Sequence, residues 1–73
     1  MSDYVWVLEI FGGDGSRAVM QVFETDDAAL DYMQPYGDFS TERRVANGQK
    51  QILCVPAEYP KSTFRFTKFE VKR

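Results

Sequence analysis

Few side chains in this sequence of 73 residues could carry out catalysis. Cys54 is the one thiol and there is no histidine. A nucleophile would therefore lack an imidazole to take its proton, and a zinc site would lack its commonest ligand. Cys54 follows Ile52 and Leu53 in an apolar run, so it reads as a small buried filler and not a reactive thiol. Carboxylates pair at Asp26/Asp27 and Asp27/Asp31. They read as charge at the start of a helix, where carboxylates meet the positive end of the dipole, since a hard cation would need more oxygens converging on one point. Gly12-Gly13-Asp14-Gly15-Ser16 has glycine and acid but not the Lys-Ser/Thr of a phosphate loop, so it reads as a turn. No catalytic residue, cofactor or metal ligand is expected, and the chain is not expected to be an enzyme.

The sharper chemical signal lies near the C-terminus. Phe64, Phe66 and Phe69 fall at offsets 0, 2 and 5, with Arg65 and Lys68 between them. That is the aromatic spacing of the main signature of the RNA-recognition motif, whose rings stack on bases. The rest of the signature is missing: Ser62-Thr63 replace its Lys/Arg-Gly, and Arg65 replaces its small residue. The sequence pI of about 4.9 argues against duplex binding. Phe64, Arg65, Phe66 and Lys68 remain candidates for weak contact with single-stranded nucleic acid.

Eleven acids and nine bases give a net charge of −2, but they are spread unevenly. Residues 1–42 hold nine of the acids and one base, Arg17, while Lys61, Arg65, Lys68, Lys72 and Arg73 face only Glu70 near the end. Either the two halves neutralise each other in one fold, or an acidic surface steers the protein toward a basic partner. The absence of any apolar run of membrane-spanning length, of a charged-then-apolar leader and of a second cysteine leads us to expect a reducing cytoplasm and no membrane contact.

The elements that would position these residues follow from local pattern. Tyr4–Phe11 and Arg17–Glu24 are rich in β-branched and aromatic residues and flank the glycine turn, so they predict a hairpin. Pairing Ile10 with Ala18, Leu8 with Met20 and Trp6 with Val22 makes one face wholly apolar. The other face carries Val5, Val7, Phe11, Val19 and Phe23 around Glu9, Arg17 and Gln21. Thr25 offers a helix N-cap and Pro35 a stop, giving a helix over about 26–34 with Ala29, Leu30 and Met33 on one side and Leu30 as its anchor. Asn47-Gly48 predicts a second, more polar hairpin from Thr41–Ala46 and Gln49–Val55 at the sheet edge. After Pro56 and Pro60 the phenylalanines change phase between Phe66 and Phe69, so the last stretch reads as a mobile tail.

The expected fold is α+β: a small antiparallel sheet of about four strands in two hairpins, with one helix packed on it. Residues 1–60 would form the domain and residues 61–73 a basic, aromatic, mobile tail. In length, in its opening MSDYVWVLEIFGGDGSRAVMQVFETDDAALDYM and in its Asn47-Gly48 hairpin, the chain resembles the small phage-encoded regulators of bacterial transcription, of the type carried by lytic Xanthomonas phages. That resemblance implies a non-enzymatic protein in the host bacterial cytoplasm, and a monomer is expected. It would bind RNA polymerase, inhibit sigma-dependent initiation and promote antitermination. The alternatives are an anti-defence inhibitor that occupies a nucleic-acid site with its acidic face, and a single-strand binder using the tail. From the charge pattern and the half-apolar face, the candidate partner-binding residues are Val5, Val7, Glu9, Val19, Phe23, Asp26, Asp27 and Asp31.

Overall fold

The computed structural model describes residues 4–71 and, at Val19 and Met20, the backbone only. Strand β1 (Tyr4–Phe11) turns at the glycine loop into β2 (Arg17–Phe23). The loop closes on itself: the Asp14 carboxylate accepts the Ser16 N–H at 2.9 Å, and Gly15 takes a φ of +87°, which glycine adopts without steric cost. Helix α1 (Asp26–Asp31) and a 3-10 turn (Gln34–Tyr36) follow. The chain then runs through β3 (Phe39–Ala46), β4 (Gln49–Pro56) and β5 (Thr63–Glu70).

All five strands form one antiparallel sheet in the order β2-β1-β5-β4-β3. Residues 63–70, expected in the mobile tail, therefore make the central strand. Lys72 and Arg73 lie outside the described residues. β5 pairs with β1 from Tyr4↔Glu70 to Phe11↔Thr63, and with β4 from Gln51↔Thr67 to Cys54↔Phe64. The two local hairpins thus meet only through β5, and the sheet has five strands where about four were expected. β2 and β3 are the edge strands, so the second hairpin lies at an edge as expected, with β4 on its inner side.

The connection from β2 to β3 must cross from one edge of the sheet to the other, which carries α1 over one face. On that face Trp6, Leu8, Phe64, Phe66, Ile52 and Cys54 are buried together with Ala29 and Met33 of the helical segment. Phe23, Tyr32, Tyr36, Phe39, Leu30 and Ile10 pack around them. The aromatic rings meet mostly edge to face, as their quadrupoles favour: Phe23 and Phe66 centroids lie 5.9 Å apart, Tyr36 and Phe64 5.0 Å. Among the described residues the opposite face carries no helix.

Local signals at the helix hold. The Thr25 hydroxyl accepts the Ala28 N–H at 3.1 Å, closing one of the open donors of the first turn. The helix is shorter than expected, ending at Asp31 instead of about residue 34. Pro35 has no N–H to offer the Asp31 carbonyl, and its ring would clash there. The chain tightens into the 3-10 turn instead, with Pro35 in its first positions. Ala29 and Met33 are fully buried, while Leu30, expected as the anchor, is only half-buried. Leu30→Ala should therefore cost about 1–2 kcal/mol, below the roughly 2–5 kcal/mol of a fully buried leucine. Urea unfolding midpoints measure this, and a loss as large as that of Met33→Ala would show Leu30 to be the true anchor.

The second hairpin turns as its sequence demands, with positive φ at both Asn47 (53°) and Gly48 (76°). The first hairpin departs from the expected register. Ile10 faces Ala18 as expected, but a bulge opposite Leu8/Glu9 shifts the pairing to Leu8↔Gln21, Val7↔Val22 and Trp6↔Phe23. One extra residue in β2 exchanges the faces beyond it. Phe23, expected on the second face, turns to the core against Tyr32 and Phe66. Val22, expected in the core, is 56% exposed.

Candidate functional site

The uncovered sheet face is one candidate. Its rows follow from the register: Val22, Val7, Thr67, Gln51 and Arg44 cross all five strands, and beside them run Glu9, Arg65, Leu53 and Glu42, with the Val19 backbone paired to Glu9. The first row is apolar at the β2 end and polar at the β3 end. There Arg44 Nε donates to the Gln51 side-chain oxygen at 2.8 Å, and the Gln51 amide donates to the Thr67 hydroxyl at 3.4 Å. Val5 lies beside Val7 and opposite Phe69, so Val5, Val7 and Val22 form a small apolar patch.

Glu9 lies next to that patch and is only 6% exposed. Arg65 Nη2 donates to its Oε1 at 2.8 Å, and Arg17 pairs with Oε2. The Arg65 guanidinium also lies 4.7 Å from the centroid of the Phe11 ring. The hydrogen bond from Arg65 holds the Glu9 carboxyl below its ordinary pKa; burial opposes this, and the charges of Arg65 and Arg17 reinforce it. Glu9 therefore ties β1 to β5 and β2 from above the sheet. Arg65, expected as a nucleic-acid contact, is committed to this pair.

The residues proposed from sequence do not form one surface. Val5, Val7 and Glu9 share the uncovered face, and the Val19 backbone pairs with Glu9 there. Phe23 is in the core. Asp26, Asp27 and Asp31 stand on α1, in the layer on the opposite side, so the acidic residues do not adjoin the valine patch. Phe64 and Phe66, expected to stack on bases, are 4% and 0% exposed. They fill the core because β5 is central, and they are not available to a ligand. Cys54 is fully buried beside them, and burial pushes its thiol pKa up, which disfavours the nucleophilic thiolate.

A second candidate was anticipated at one residue only, Lys68, expected as a nucleic-acid contact. Because α1 is short, it covers only part of its face. Beyond its N-terminus an open hollow of about 390 Å³ is lined by Trp6, Asp26, Arg43, Arg44, Lys50 and Lys68, among others. The Lys68 ammonium sits 4.3 Å from the Tyr4 ring centroid and 6.0 Å from that of Trp6. Asp26 approaches Arg43 at 3.9 Å. The lysines come from different strands and meet only through the β4–β5 register, which local pattern does not reveal.

Among the described residues no three His, Cys, Asp or Glu side chains converge on a common point, and no helix is long and apolar enough to cross a membrane. Searches against family models, curated proteins and solved structures find no match for this chain.

Proposed function

We propose that this protein is a non-enzymatic regulator that binds bacterial RNA polymerase in the host cytoplasm, inhibits sigma-dependent initiation and promotes antitermination. The polymerase enters through the resemblance of the sequence to small phage-encoded regulators. The observation that carries the binding reading is the uncovered sheet face, where Val5, Val7 and Val22 lie together with no element of the described residues over them. An apolar patch rimmed by polar side chains is the usual anatomy of a protein-docking surface. The buried, pKa-raised Cys54 and the lack of histidine support a binding role over catalysis.

Apolar contacts chiefly set how slowly a complex separates, and charge chiefly sets how fast it forms. The valine patch and the helix carboxylates lie on opposite sides, so their contributions can be measured separately. Binding to isolated core polymerase, without DNA or RNA, is the test. Val22→Asp, at an exposed position, should raise the dissociation rate about tenfold or more. Asp27→Lys/Asp31→Lys should alter the association rate and its salt dependence while leaving dissociation nearly unchanged. A chain that ignores isolated polymerase, or a Val22→Asp variant that binds like the parent, would refute the reading.

A further inference from the structure

We propose that the hollow beside Trp6 binds single-stranded nucleic acid through the phosphates, with Lys50 and Lys68 as its central contacts. The proposal is independent of the polymerase reading. Lys50 and Lys68 occupy adjacent strands one position beyond the Gln51↔Thr67 pair, so they stand side by side on the same face of the sheet. Like charges directly across a strand pair destabilise a sheet. Among the described residues neither ammonium lies within 4.0 Å of a carboxylate. Lys68 is held instead against the faces of Tyr4 and Trp6.

The local charge is opposite to that of the whole chain. Arg43, Lys50 and Lys68 present their charges to the hollow against one carboxylate, Asp26, while the protein carries a net charge of −2. Glu24 and Glu70 line the two adjoining hollows with Lys68 and bound the cationic zone. An anion between the two lysines relieves their repulsion. The rings select among anions: Tyr4, 41% exposed, lines the adjoining hollow together with Lys50 and Lys68, and Trp6 lies beside it on the same face. Cations interleaved with exposed rings suit a strand whose phosphates and bases alternate, since every base offers a face for stacking. An acidic peptide satisfies the cations alone.

Trp6 is the only tryptophan, and it lines the hollow, so its emission reports occupancy. A labelled twelve-nucleotide oligouridylate or oligothymidylate should quench Trp6 and raise the label's anisotropy, with affinity falling steeply as salt rises. Lys50→Gln/Lys68→Gln should weaken binding about tenfold and flatten the slope of log affinity against log salt by about 0.7 per lysine removed. The same variant should stay folded, because the repulsion it removes offsets the lost contact of Lys68 with the Tyr4 and Trp6 rings. Uridine monophosphate binding as tightly as the oligonucleotide, or polyglutamate competing equally at matched charge, would overturn the proposal. So would parent-like binding by the double variant. No polymerase is present, so none of these outcomes bears on the docking of the valine patch.

Discussion

Deleting residues 63–73 should unfold the whole protein. β5 lies between the two hairpins and pairs with both, and β1 and β4 have no direct pairing. Its removal leaves two separate two-stranded ribbons, which are marginal in water. It also takes Phe64 and Phe66 from the core, along with the surface against which Tyr32, Tyr36 and Phe23 pack. Phe66→Ala alone should cost roughly 3–5 kcal/mol. A domain of this size sits near the low end of the usual stability of about 5–15 kcal/mol, so that variant should be partly unfolded at room temperature. Far-UV circular dichroism and amide NMR dispersion measure both effects. A truncated chain that keeps dispersed amide signals for Tyr4–Phe23 would show that the N-terminal hairpin and helix fold without β5.

The elements legible in the sequence are those determined by neighbours in the chain. Tyr4–Phe11 declares itself by its β-branched and aromatic residues, Asn47-Gly48 by the positive φ that both residues tolerate, and Thr25 by its capping hydroxyl. What was misjudged depends on partners distant in sequence. The phase change from Phe66 to Phe69 suggested a strand that could not hold its register. In the sheet the alternation is regular: Phe64 and Phe66 face the core, while Phe69 faces the other side opposite Val5. A central strand has two faces, and an aromatic on each is no defect. The bulge in β2 had no signature such as an inserted glycine, so a hairpin paired by simple counting put Val22 and Phe23 on the wrong sides. The same limit hid the lysine hollow. Lys68 stands out in the sequence only through its place among the phenylalanines, and Lys50 looks like an ordinary surface charge until the β4–β5 register sets the two next to each other.

Glu9→Ala should cost about 3 kcal/mol at neutral pH, a large effect for a substitution outside the apolar core. Removing one partner of a buried ion pair leaves the other charge uncompensated, at roughly 3–5 kcal/mol. Arg65 is partly exposed, its side chain at 27%, and water can screen it, which places the effect at the low end. Replacing both partners by apolar residues, as in Glu9→Leu/Arg65→Met, should restore most of the loss, because it removes the stranded charge. The pH dependence follows from the direction of the shift. Arg65 and Arg17 hold the Glu9 carboxyl below its ordinary value near 4.5. The unfolded chain therefore takes up the proton first as the pH falls. The ion pair's contribution is complete above about pH 4.5 and is lost as the pH drops through the lower, folded-state value. Urea midpoints of the parent and of Glu9→Gln, measured from neutral to acid pH, should differ by a constant amount down to that region and then converge. A difference that stays constant through the acid range would mean that Glu9 supports the sheet by shape and hydrogen bonding alone, with no contribution from its charge. Glu9 lies beside Val7 on the uncovered face, so this measurement also determines the charge state of the rim that any docking partner meets.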